Sequence, residues 1–524
     1  MKLTDIMKGA GPEWEEKGYQ LPKFDIEAVR AKTHDEPTWV HFGAGNIFRA
    51  FPAAILNEAL NSGKYDRGVI VAESFDYEII DKAYQPYDNL SLLVSLKSTG
   101  TIEKKVIASV TESLKADYQF ADWARLQEIF RNPSLQMISF TITEKGYGVA
   151  PADLERGLTP VLAMGKVAVL LYERFQAGKL PLTVQSMDNC SHNGDKVKAG
   201  VLKYAEKWVA DGLVPAEFKE YLLDETRITF PWSMIDKITP RPAESVVKEL
   251  EALGIEDMAP VITSKHTYIA PFVNAEGPQY LVIEDKFPNG RPKLEDAGVY
   301  MTDRDTVNKV ERMKVTTCLN PLHTALAVYG CVLGYTLIAD EMKDTELNKL
   351  VHEIGPVEGM PVVTNPGILS PEAFVDEVIN VRIPNPFMPD TPQRIATDTS
   401  QKVGIRYGET IKSYVAKYGD AKKLKAIPLA IAGWLRYLLG VDDEGQAFER
   451  SADPMLETLS QQMEGITLGH PESVGDKVRP ILSNVNIFGS DLYEAGIGDL
   501  IEDLFKEELA GPGAVRATLK KYLD

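Results

Sequence analysis

Cysteine is nearly absent from this 524-residue chain: Cys190, Cys318 and Cys331 are its only three, widely spaced and without a CxxC pair. An odd, scattered set of thiols excludes a disulfide framework or a zinc knuckle and points to a reducing, cytoplasmic setting. Histidine is scarce too, at seven residues. No Cys/His cluster lies near the functional segments below, so no metal site is expected. Long apolar runs are missing. The longest, residues 325–339, is too short to span a membrane and holds Tyr329, Tyr335 and two glycines. It predicts a buried helix, and no membrane partner is expected. The first residues lack the apolar core of a secretory leader. Positive charge is in deficit, with 57 Lys and Arg against 76 Asp and Glu, a net charge of −19. That balance excludes nucleic acid as a natural partner. It also means that an anionic substrate must be met by local cations acting against the global field. There is no internal repeat and no low-complexity tract.

What is present reads as a two-domain globular protein, because the chain is too long for a single core. Candidate strands fall at residues 37–42, 68–72, 90–96, 105–110, 136–143 and 182–186, with amphipathic helices between several of them, such as 50–60 and 163–176. Alternation of near-continuous apolar strands with helices predicts an α/β fold, a Rossmann-like, doubly wound and mostly parallel sheet. From about residue 303 the helical period dominates, with core-facing helices at 324–339, 411–417, 428–439, 455–463 and 497–509. The turn-rich stretch 285–292 sets the expected boundary: a nucleotide-binding domain over 1–292 and a mostly α-helical substrate domain over 293–524. A small-molecule site would then lie between the two.

The segment 311–323, Glu-Arg-Met-Lys-Val-Thr-Thr-Cys-Leu-Asn-Pro-Leu-His, carries a base, an amide and an imidazole. Lys314 can exchange a proton with an alcohol if burial or a cationic neighbour tunes it. Asn320 can stabilise the alkoxide, and His323 can hold a second hydroxyl. That is equipment for oxidising a secondary alcohol without zinc. Gly43-Ala44-Gly45 follows the first strand, where a dinucleotide pyrophosphate would rest on a helix amino terminus. Asn46 opens the helix, and Phe48 stands where the usual third glycine would be. Glu73 ends the next strand, 28 residues after Gly45. There a carboxylate would accept both adenosine ribose hydroxyls and repel a 2′-phosphate, which favours NAD; Asp76 is its rival. Three more segments are dense in polar groups: 141–147 with Thr143 and Glu144, 186–195 with Asn189, and 230–240 with Asp236 in an apolar setting. Each also suits a plain structural role, as a turn or an ion pair.

Seven of these segments, in order, resemble the polyol-specific long-chain dehydrogenases, the mannitol dehydrogenase family. They are HFGAGNIFRAF (41–51), TITEKGY (141–147), SMDNCSHNG (186–194), FPWSMIDKITP (230–240), LVIEDKFPNGRP (281–292), ERMKVTTCLNPLH (311–323), and RIPNP (382–386) with DTSQK (398–402). The resemblance implies NAD(P), no metal, and Lys314 as the general acid/base. It makes Asn189 and Asn320 the oxyanion amides, His323 the substrate-orienting imidazole and Asp236 a carboxylate near the lysine. Glu311, three residues before Lys314, would offer a proton exit. Arg49 is what remains of the family's usual His-Arg pair at the first turn. Within the family the chain is most similar to the hexuronate branch. That implies a sugar acid substrate, D-fructuronate reduced at C5 to D-mannonate, with Arg382, Asn385 and Lys402 around it. A guanidinium can bind a carboxylate in two places, although Asp376 or Glu377 could instead pair with Arg382. D-tagaturonate and a neutral ketose are the alternative substrates, and an inert nucleotide-binding regulator is the non-enzymatic alternative. A monomer or small homo-oligomer is expected.

One spacing departs from the family: five residues separate Lys314 from Asn320 instead of the usual four. On a straight helix Lys314 and His323 would point about 180° apart. The backbone is therefore expected to break here, either through a π-bulge that absorbs one residue or by a new helix capped by Asn320 with Pro321 next.

Overall fold

A computed structural model describes the whole chain, Met1 to Asp524. It divides into two compact units, Met1–Lys97 with Thr101–Asn308, and Ser98–Gly100 with Lys309–Asp524.

The first unit is built on six parallel strands: β1 (Trp39–Phe42), β2 (Val69–Glu73), β3 (Val110–Lys115), β4 (Met137–Phe140), β5 (Leu182–Ser186) and β6 (Ile228–Thr229). Their spatial order is β3-β2-β1-β4-β5-β6. This is the strand order of dinucleotide-binding folds, with the reversal between β1 and β4. The side chains alternate between two cores, as a period of two requires. Val40, Phe42, Ile70 and Ala72 face Leu126, Leu171, Val197 and Trp208. Trp39, Val69 and Val71 face Leu56, Leu60 and Ile80. With helices on both faces, β1 and β2 are buried along their whole lengths, which is why they read as unbroken apolar runs.

One expected strand divides in two. Residues 105–110 lie across the end of strand Ile102–Ile107, which pairs antiparallel with Ser91–Leu96 in a separate four-stranded sheet, and the start of β3. The chain changes sheets at Ala108-Ser109. There the Ala108 amide donates to Asn57 Oδ1 (2.9 Å) and Ser109 Oγ donates to the Ala53 carbonyl (2.6 Å). Both strands are apolar where they meet, so periodicity could not mark the switch. The first 35 residues belong to this unit: Tyr19–Gln20 pairs with Lys104 and Lys105, and the Met1 ammonium donates to the Gly254 carbonyl (2.8 Å).

The second unit is helical. All thirteen residues of Ala426–Leu438 are buried, and this helix packs against Asn320–Leu333 and Gly498–Glu508. The helix expected over 324–339 is shifted. It begins at Asn320 and stops at Gly334, whose φ of 82° is a left-handed cap. No helix in the chain is long and apolar enough to cross a membrane.

Candidate active site

The turn after β1 is held in place from several sides. Gly43 has φ +108°, and a Cβ there would lie 2.2 Å from the Thr141 carbonyl oxygen, so only glycine fits. Gly45 differs: a Cβ built on it meets no protein atom within 4 Å. The space in front of this backbone is open where a pyrophosphate would approach, and the helix Asn46–Ala50 begins beside it. The turn therefore fits a dinucleotide.

Behind the turn, the side chains expected to face the cofactor are mostly fasteners. Phe48 is buried and stacks on His41, with ring centroids 4.3 Å apart. Arg49 is fully buried, donating to the Ala270 carbonyl (2.6 Å) and to Asn46 Oδ1 (3.0 Å). Glu73 is buried, and its oxygens accept the amides of Ala44 (2.8 Å), Phe75 (2.9 Å) and Asp76 (3.1 Å). Burial raises its pKa, against the pull of these amides. Glu73 thus ties the end of β2 to the glycine turn. Its rival Asp76 accepts from Thr263 Oγ1 (2.6 Å) through Oδ2, while its buried Oδ1 has no hydrogen-bond partner.

The ends of β4 and β5 are joined by a residue that the sequence did not single out. Asp188 accepts the Ile142 and Thr143 amides (3.0 Å each) and the Tyr147 hydroxyl (2.5 Å). Thr143 adopts φ +64°, unusual for a branched residue, and Asp188 holds that amide in place. Glu144 is exposed and pairs with Lys196 (2.7 Å). Asn189 is exposed on the loop after β5. Asn193 fixes that loop from inside, donating to the Asp188 carbonyl (3.0 Å) and Ser233 Oγ (2.9 Å). Asp236 is buried at the end of strand Ser233–Asp236, opposite Tyr280. His41 was also missed: burial pulls its pKa down to about 3, and its ring nitrogens meet Ser139 Oγ (2.6 Å) and Thr141 Oγ1 (2.7 Å). A polar residue inside an apolar strand was the only signal for it.

In the second unit, Glu311 is half-buried near the end of helix Arg304–Met313, and Lys314, buried, opens a π-helical turn, Lys314–Cys318. The Leu319 amide donates to the Lys314 carbonyl (3.1 Å), five residues back. One residue is absorbed, so Lys314 and His323 are separated by about 80° of helical rotation, not about 180°. Helix Asn320–Leu333 starts at once, with Leu319, not Asn320, at the cap and no side-chain cap bond. Of the two expected alternatives the π turn is formed, and Asn320 does not cap the new helix, so its amide is not spent on that helix.

His323 Nε2 lies 3.7 Å from Asp390 Oδ2. Burial lowers its pKa to about 4; Asp390 opposes this, while Arg406, Arg394 and Arg382 add to it. The imidazole is therefore neutral at physiological pH and can either donate or accept. Arg382 and Asn385 are buried, and the Phe387 amide donates to Asn385 Oδ1 (3.0 Å). Lys402 Nζ donates to the Thr397 carbonyl (2.5 Å). No three His, Cys, Asp or Glu side chains come together in a way that could hold a metal.

The chain as a whole is similar to known proteins. The chain is 56% identical to the D-mannonate oxidoreductase of Thermotoga maritima, over 97% of each chain. It is 28% identical to the Escherichia coli D-mannonate oxidoreductase, over 86% of this chain and 89% of that one. Among solved structures it matches Pseudomonas fluorescens mannitol 2-dehydrogenase in ternary complex with NAD and D-mannitol, at 25% identity and a TM-score of 0.69, over 100% of this chain and 99% of that one. It also matches a substrate-free D-sorbitol dehydrogenase, at 26% identity and a TM-score of 0.75, over 96% and 100%. The Mannitol dehydrogenase Rossmann domain model matches residues 37–296 and the Mannitol dehydrogenase C-terminal domain model residues 306–504, so the chain belongs to the mannitol dehydrogenase family.

Proposed function

We propose that this protein is an NAD-dependent oxidoreductase that interconverts D-mannonate and D-fructuronate in hexuronate catabolism. The observation that carries this reading is the π turn headed by buried Lys314, followed directly by the helix bearing Asn320 and His323. The 56% identity to a D-mannonate oxidoreductase supports the choice of substrate.

The cofactor, held over the Gly43-Ala44-Gly45 turn, supplies the hydride chemistry when bound. The chain's own residues manage the proton and the charge. Lys314, as ammonium, gives its proton to the oxygen at C5 as the ketone becomes an alcohol, and takes it back in the reverse direction. The Asn320 amide donates to that oxygen while negative charge develops on it. Neutral His323, restrained by Asp390, orients a neighbouring hydroxyl. Asn189 and Asp236 keep the roles that the family resemblance implies for them, Glu311, three residues before Lys314, offers a proton exit, and Arg382 and Lys402 serve the sugar acid's carboxylate.

The test is NADH oxidation with D-fructuronate, D-tagaturonate and D-fructose. D-Fructuronate should be reduced fastest. If absorbance stays flat with all three, the protein is not this enzyme and the inert nucleotide-binding reading gains. Lys314→Ala should lower turnover about 10²–10⁴-fold; a near-normal rate would remove Lys314 from the proton path.

A further inference from the structure

Two cations in the second unit, Lys402 and Arg406, form no ion pair. Lys402 and Arg406 are one turn apart, with the Arg406 amide donating to the Lys402 carbonyl (3.0 Å). Arg406 lies on a second π turn, Gly404–Gly408. Its Nη1 donates to Thr324 Oγ1, and Lys402 Nζ donates to a backbone carbonyl. Neither forms an ion pair, whereas nearby Arg394 pairs with Asp390. Asp398 and Asp453 act on Lys402 only from a distance, and Asp453 is spent on the amide and hydroxyl of Ser400. Burial, and for Lys402 also its neighbour Arg406, pushes the pKa of each below its ordinary value. Two like charges taken partly out of water without a counter-ion destabilise the fold. In a chain of net charge −19, such a pair is expected to serve an anion that arrives from outside.

The surroundings say which anion. Thr324 follows His323 on the helix Asn320–Leu333, so its bond to Arg406 sets the guanidinium one residue from the imidazole that orients the sugar. Arg406 is also the strongest cationic influence on His323. The Tyr407 hydroxyl donates to the Pro321 carbonyl (2.9 Å) and docks the whole π turn on the first turn of this helix. Only one of the five guanidinium N–H donors is taken by Thr324, and the planar fork matches a carboxylate.

We propose that Arg406 joins Arg382 and Lys402 in the carboxylate subsite and is the residue that separates a sugar acid from a neutral sugar of the same length. This rests on the reading of the protein as a sugar-acid oxidoreductase. It adds to that reading a specificity-determining arginine outside the segments that the sequence singled out.

The experiment compares KM and kcat for D-fructuronate and D-fructose with NADH, in the full-length protein and in Arg406→Gln, Arg406→Lys and Lys402→Met. If the unaltered protein reduces neither sugar, the functional reading fails. If it reduces D-fructose but no uronate, the subsite fails. Arg406→Gln should raise KM for D-fructuronate about 10–100-fold, the effect of one charge-assisted contact, and lower acid-over-neutral selectivity by a similar factor. Arg406→Lys should recover part of it. Where D-fructose turns over too slowly, calorimetric dissociation constants for D-mannonate and D-mannitol make the same comparison. Should Arg406→Gln fold poorly, Lys402→Met carries the test with the same expected direction. Equal losses on acid and neutral sugars, or no change in KM for the acid, would overturn the proposal.

Discussion

Glu508 offers a stability test of the helix that carries Asn320 and His323. It ends the helix Gly498–Glu508, fully buried; its Oε1 accepts the Tyr329 hydroxyl (2.5 Å), while Oε2 has no hydrogen-bond partner. Tyr329 belongs to Asn320–Leu333, the helix bearing Asn320 and His323. Arg436 lowers the carboxyl's pKa but does not offset the burial, and its guanidinium donates to the carbonyls of Val441, Asp442 and Glu508 instead of the carboxylate. Burial raises the Glu508 pKa from 4.5 to about 8. Between those values the folded protein holds a proton that the unfolded chain has released, so stability falls as pH rises. At about 1.4 kcal/mol per pH unit, the 3.5 units between 4.5 and about 8 amount to about 5 kcal/mol. Glu508→Gln keeps an acceptor for Tyr329 and never ionises. Urea unfolding at pH 5, 6.5, 8 and 9 should show the two proteins similar at pH 5 and the variant more stable at pH 8 and above, by up to that amount. Parallel profiles over the whole range would refute the burial argument.

Other consequences separate folding from binding. Gly43→Ala should destabilise the first unit by more than about 1–3 kcal/mol, since the backbone conformation alone costs that much and the methyl also meets a carbonyl. Gly45→Ala should melt like the unaltered protein but bind NADH more weakly by calorimetry, because its methyl meets only the open space. Equal behaviour of the two would contradict their assignments. Asp188→Asn loses one of two acceptor oxygens that hold the Ile142 and Thr143 amides and the Tyr147 hydroxyl. It should cost about 1–3 kcal/mol in urea unfolding and raise KM for NADH; an unchanged KM would mean that the 141–147 loop does not serve the cofactor.

The parallel sheet was legible because strands buried on both faces leave uninterrupted apolar runs, and because Gly43-x-Gly45 marks the first strand-to-helix turn. Helix ends were less legible. The helix Asn320–Leu333 begins four residues before its apolar period does, since Asn-Pro-Leu-His looks like a turn until the π geometry above it is known. Side-chain roles inside the nucleotide turn were hardest to read. Glu73 stands at the strand end where ribose carboxylates occur, yet it is turned inward by the Ala44, Phe75 and Asp76 amides. A carboxylate followed by free amides can always be drawn toward them, and no spacing rule reveals that. Asp188 was hidden for the same reason: its partners lie 41 to 46 residues away in sequence.

The spacing argument at 314–323 shows how far arithmetic on a sequence can reach. Nine residues of ideal helix put Lys314 and His323 on opposite sides, so a common role required the backbone to lose one residue's rotation. That requirement followed from the sequence; the means of meeting it did not, because a π turn and a fresh helix start satisfy it equally. The structure uses both, with the π turn Lys314–Cys318 and then a break at Leu319. A π turn survives only where packing over-determines it, and here Thr316, Thr317 and Cys318 are all buried. The extra residue is thus held by the core, and it leaves the Asn320 amide free of its helix cap.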